Sequence, residues 1–192
     1  MNAPVDISNT VLYTERLILR PWRQDDLEDF YEYASVDGVG QMAGWLPHKN
    51  MDESKMILDD FIKGKKIFAL EYEGKAIGSL GIEEYNEEKF PELKDKKCRE
   101  IGYVLAKPYW GRGLMPEAVN RVIDYLFEEA GLDMILCGHF LSNSQSQRVQ
   151  EKCGFRHYAY GKYETRFNTI EDDETNIITR KDWLDRKNAK HE

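Results

Sequence analysis

Apolar and polar positions change period several times along the chain, and each change marks an element. Residues 12–21 (LYTERLILRP) are rich in β-forming side chains and read as a strand, after which Asp25 and Asp26 supply the acidic start of a helix running through Phe30 and Tyr33. No period holds from Ser35 to Asn50, a loop with unusually large side chains that carries Gly38, Gly40, Gly44, Trp45, Pro47 and His48. Asp52 is placed to cap a short helix in which Met56, Ile57, Asp60 and Phe61 fall at helical spacing, ended by Gly64. KIFALEY and KAIGSLGI read as strands, and Glu73-Gly74 between them signals a hairpin.

Residues 83–100 concentrate mixed charge and read as a solvated hairpin arm before the strand EIGYVLA. The clearest helix follows Gly111-Arg112-Gly113. Met115, Ala118, Val119, Val122, Ile123, Leu126, Phe127 and Ala130 lie on one face, and Glu117, Asn120, Arg121, Asp124, Glu128 and Glu129 take the other. Gly131 is its stop. The strand MILCGHF comes next, then a short helix from the cap Asn143 to Gly154. FRHYAYGKYE and NIITR read as late strands separated by an acidic loop, EDDE, at 171–174. This order predicts an α/β (α+β) domain spanning 1–192, with its core between about 11 and 184 and helices packed on one mixed sheet.

Composition narrows the class. With 27 Lys+Arg against 35 Asp+Glu, the 192 residues carry a formal net charge of -8. That balance opposes membranes and nucleic acid as partners and favours cationic ones through long-range steering. No apolar run reaches the ~20 residues of a membrane span, and the amino terminus has no signal-peptide pattern, so a cytoplasmic protein is expected. Cys98, Cys137 and Cys153 form no CxxC pair, and the four histidines show no HExxH spacing, so no metal site is expected.

Glycines between a strand and a periodic helix let backbone N–H groups turn inward at a helix amino terminus, which favours a phosphate or pyrophosphate. Arg112 can add a charge contact. The loop is neither a Walker loop nor a dinucleotide fingerprint, because the Gly-Lys-Ser/Thr ending and the third glycine are missing.

TERLILRPW (14–22), EIGYVLAKPYWGRGLMPEA (100–118), NSQSQRVQEKCGF (143–155) and ITRKDW (178–183) stand in an order that resembles the GNAT superfamily of acetyl-CoA-dependent N-acetyltransferases, and within it the RimJ/RimL-like branch. The resemblance implies a mostly antiparallel sheet of about seven strands flanked by helices. It implies that Val104 and Leu105 offer backbone groups to the pantetheine arm of acetyl-CoA. It further implies that Trp110, Gly111, Arg112, Gly113 and Met115 form the pyrophosphate loop, that Asn143 contacts the cofactor, and that Ser146 sits near its sulfur. Two positions depart from the family pattern. Met115 stands where Gly or Ala is usual, and Gln150 stands where many members have the Tyr that protonates the departing thiolate.

The amine must be neutral to attack. At pH 7 this costs about 4.6 kcal/mol for a lysine-type amine and about 1 kcal/mol for an α-amine. Glu100, on the strand that would expose the thioester, is the leading base, with an ion pair near Arg99 or to Arg20 as its alternative role. Ser146 is the candidate donor to the thiolate, or a capping serine. His139, Trp45, His48 and Tyr85 (beside Glu83-Glu84) are candidates for the acceptor site; the alternatives are a satisfied core or edge residue for His139, hydrophobic anchoring of the loop for Trp45 and His48, and a solvated strand end for Tyr85. The expected partner is a cationic amine, either a protein N-terminus or a small molecule, and a homodimer stays open. A catalytically silent acyl-CoA sensor is the competing reading, supported by Gln150.

Overall fold

The computed structural model describes residues 1–189. Its eight strands are β1 (Leu12–Tyr13), β2 (Ile18–Pro21), β3 (Ile67–Tyr72), β4 (Lys75–Glu83), β5 (Cys98–Leu105), β6 (Met134–Phe140), β7 (Arg156–Glu164) and β8 (Ile170–Thr179). They form one sheet in the order β1-β2-β3-β4-β5-β6-β8-β7. Neighbours are antiparallel except β5 and β6. The helices are α1 (Leu27–Ala34), α2 (Met51–Gly64), α3 (Leu114–Glu128), α4 (Ser144–Cys153) and α5 (Arg180–Ala189).

Strand alternation builds the two helical layers. Phe68, Leu70 and Ile77 join the core that contains the apolar face of α3, whereas Ala69 and Ala76 join Phe30, Tyr33 and Leu58 of α1 and α2. Helix α3 buries Ala118, Val119, Val122, Leu126 and Phe127 completely, as its 3.6-residue period requires.

Four sequence-based boundaries move. Residues 12–21 break into two strands because Thr14 N–H donates to Leu17 O (3.0 Å) and closes a turn. Helix α2 is capped by Asn50, whose side chain accepts from Glu53 N–H (2.9 Å), rather than by Asp52. The acidic stretch 171–174 lies within β8 instead of forming a loop. An antiparallel ribbon needs only backbone pairing, and its charges find partners across it, Asp172 with Lys162 (2.8 Å) and Glu174 with His157 (2.7 Å). The arm between β4 and β5 is not merely solvated: Tyr85, Phe90 and Leu93 are buried with Cys98, Leu136 and Ile177.

The parallel pairing of β5 with β6 covers only Cys98–Glu100 against Met134–Leu136. Beyond those residues the two strands separate, leaving two unpaired edges in the middle of the sheet.

Candidate active site

The separation opens a cleft of about 690 Å³ lined by β5, β6, the Gly111–Gly113 loop with the first turn of α3, and α4. Register decides which backbone groups of β5 face it. Ala106 N–H donates to Ile77 O (2.8 Å), so with the continuous β4–β5 register Val104 directs its backbone groups at Ser79 on β4. The expectation that Val104 meets the pantetheine arm is therefore corrected: Tyr103 and Leu105 present their backbone to the gap. The Leu105 carbonyl already accepts from Trp110 Nε1 (2.7 Å), which leaves the Leu105 N–H and both groups of Tyr103.

At one end of the cleft, Gly111 and Gly113 have φ of 75° and 77°, and Gly113 is the N-cap of α3. The N–H groups of Gly111, Arg112, Gly113, Leu114 and Met115 donate to nothing among the described residues. Five N–H donors without an acceptor at a helix amino terminus are a candidate anion cradle. Met115 buries its side chain in the core (5% exposed), so its departure from the family pattern leaves the cradle clear. Arg112 lies over the Tyr109 ring at 5.3 Å. The sequence reading missed Arg16, whose Nη1 donates to Arg112 O (2.9 Å) while its Nε bonds Glu117 (2.8 Å), tying the loop to the β1–β2 turn. Arg148 and Lys152 of α4 add positive charge to the cleft lining.

In the middle of the cleft a polar chain surrounds Gln150. The Tyr103 hydroxyl is 2.9 Å from Ser146 Oγ, and Gln150 Nε2 donates to the same oxygen (3.3 Å) and to Gly138 O (3.1 Å). Asn176 Nδ2 donates to Gln150 Oε1 (2.8 Å) and lies 3.5 Å from His139 Nδ1. Gln150 is 1% exposed and works as a spacer that holds Ser146. Asn143 accepts from Ser146 N–H (3.1 Å) as the cap of α4 and also lines the cleft.

At the other end Glu100 projects from the last β5 residue paired with β6. It is half-buried and forms no ion pair among the described residues, since Arg20 is engaged by Asp26 and Glu71. Burial pushes its carboxyl up to about 7; Asp173 and Glu83 push the same way, and Lys89 opposes them.

Three acceptor candidates lie away from the cleft. His48 bonds Ser54 (2.7 Å) and meets Phe30 edge-on, and Trp45 lies over Gly40, where a Cβ would come within 2.1 Å of its ring. Both anchor the loop. Tyr85 is 2% exposed in the arm's core, where its N–H donates to Asn2 Oδ1 (2.9 Å). His139 does line the cleft, as do Val39, Met42 and Ala43 of the loop that Trp45 anchors.

The acetyltransferase (GNAT) domain model matches residues 16–156. The chain belongs to the GNAT acetyltransferase family. An uncharacterized N-acetyltransferase of Bacillus subtilis, YoaA, is 31% identical over 153 residues, covering 76% of this chain and 82% of that one. A GNAT-family acetyltransferase from Bacillus anthracis shares the fold with a TM-score of 0.77 and 23% identity over 90% of this chain and 99% of its own. MccE, the microcin C7 self-immunity acetyltransferase solved with acetyl-CoA and AMP, superposes with a TM-score of 0.70 and 17% identity over 86% and 93%. This GNAT chain is an acetyl-CoA-dependent N-acetyltransferase, and the phosphate cradle and the open edge of β5 fit that cosubstrate.

Proposed function

We propose that this GNAT enzyme transfers the acetyl group directly to a primary amine in a ternary complex, with Glu100 as the base. The observation that carries this reading is a carboxyl that lines the cleft where the β5–β6 pairing ends, with no ion-pair partner among the described residues and with burial pushing it up to about 7. Acetyl-CoA supplies an activated thioester. Gly111, Arg112, Gly113, Leu114 and Met115 hold its pyrophosphate through their amides, and Tyr103 and Leu105 align its pantetheine arm. Glu100 takes the proton of the incoming amine. Ser146, with Tyr103 and Gln150 bonded to its oxygen, directs a proton at the departing sulfur, the role that Tyr fills elsewhere in the family. A thiol of pKa near 8.5 needs only modest help to leave.

The buried network around Ser146 and the raised Glu100 favour this reading over a silent acyl-CoA sensor. The same reading places the chain in the RimJ/RimL-like branch, on the four motifs above, and in the cytoplasm. The test is thiol release from acetyl-CoA across a panel of amines, repeated with Glu100→Gln. Wild-type turnover should rise with pH through an apparent pKa near 7, and the variant should lose that limb and at least tenfold in rate at pH 8. A variant with the wild-type profile would return Glu100 to a structural role.

A further inference from the structure

Four carboxylates line the cleft: Glu83, Glu84, Glu100 and Asp173. Glu83 is paired with Lys66 and Glu84 lies 3.7 Å from Arg99. Asp173 is different. It is 7% exposed, its Oδ2 lies 3.3 Å from Lys89 Nζ, and its Oδ1 is buried with no hydrogen-bond partner. A buried carboxylate oxygen without a donor is costly unless a donor arrives with a ligand.

Two further features say which ligand. Asp173 pairs with Gly161 across β7–β8, and a Cβ there would lie 2.8 Å from Asp173 Oδ1 and 2.7 Å from Lys89 Nζ. The missing side chain is what lets an aliphatic ammonium reach this carboxylate. Lys89 comes from the arm between β4 and β5, and its side chain is 32% exposed. Its ammonium stands where a ligand's ammonium would. Phe140, directly opposite Asp173 in the β6–β8 register, packs on Tyr163 at 5.5 Å, and Met42 also lines the cleft, so apolar surface suited to methylene groups stands beside this corner.

Resting on the acetyl-transfer reading above, we propose that Asp173 is a subsite for a second ammonium of the acceptor, and that the acceptors are small aliphatic diamines or polyamines. The reactive amine lies at Glu100, the methylene chain passes the side-chain-free Gly138 towards Phe140, and the distal ammonium displaces Lys89 from Asp173.

The experiment compares 1,4-diaminobutane with n-butylamine by thiol release, and measures diamine binding to the cofactor-free protein by calorimetry. Wild type should favour the diamine at least tenfold in kcat/KM. Asp173→Asn should lower that preference about tenfold and weaken diamine binding, and Lys89→Ala should raise the preference. Gly161→Ala, which fills the space beside Oδ1, should lower it. Equal use of the two amines by a wild type that turns over, or a preference unmoved by Asp173→Asn, overturns the subsite alone. Faster turnover of a peptide α-amine than of the diamine also overturns it. Diamine binding without thiol release from any amine instead overturns the acetyl-transfer reading and leaves the subsite standing.

Discussion

Glu100 shows what one residue's surroundings decide. A glutamate whose carboxyl is raised from 4.5 to about 7 is more costly to ionise in the folded than in the unfolded chain, by on the order of 3 kcal/mol. Because the folded value is the higher, this penalty is absent below pH 4.5, grows between 4.5 and 7, and is complete above. Glu100→Gln should therefore raise the unfolding free energy at pH 8 by about 1–3 kcal/mol and leave it nearly unchanged at pH 4. Denaturant unfolding at the two pH values checks it, and an equal effect at both would mean that the change does not come from ionising Glu100. Its place on β5 was legible in the sequence, but its lack of a partner was not. Arg20 was a plausible counter-ion until it proved to be held by Asp26 at 2.7 Å and by Glu71.

At the scale of elements, the cradle depends on a turn conformation and on a brace. Gly113 sits at φ 77°, where a β-branched residue is strained by roughly 1–2 kcal/mol, although a Cβ there would touch only Arg16, at 3.6 Å. Gly113→Val should raise the KM for acetyl-CoA more than tenfold, and an unchanged KM would take the loop away from the phosphates. Arg16→Ala removes the bond to the Arg112 carbonyl and an ion pair that is 39% exposed on the Arg side. The melting temperature should change little, since exposed pairs contribute about 0–1 kcal/mol, while the KM for acetyl-CoA rises several-fold. Helix α3 was readable because its apolar positions recur at the helical period. The brace was not, since the turn that brings Arg16 beside α3 interrupts what reads as one strand. The β7–β8 ribbon was missed at Glu171–Glu174 for a related reason: local charge looks like loop, whereas cross-strand partners make it strand.

For the whole molecule, the cleft has a charge direction. Arg112, Arg148 and Lys152 accompany the Gly loop and α4, whereas the carboxylates Glu83, Glu84, Glu100 and Asp173 come from β4 and its end, β5 and β8. With a net charge of -8 the long-range field should speed the approach of cationic acceptors. Raising salt from about 10 to 200 mM should lower kcat/KM for a diamine several-fold and affect an uncharged acceptor such as hydroxylamine far less. Equal salt sensitivity would show that steering contributes nothing.

The sequence by itself determined the strand–glycine–helix unit, the family motifs and the surplus of negative charge, because turn chemistry, helical period and composition are local or additive properties. Tertiary structure alone decided where the sheet opens, which backbone groups of β5 face the gap, and that Tyr85, Trp45 and His48 belong to packing. It also decided that Glu100 and Asp173, far apart in the chain, share one cleft without partners of their own there, save Lys89 at one oxygen. Pairing and burial depend on distances set by strand register and strand order, and the pattern along the chain does not specify those.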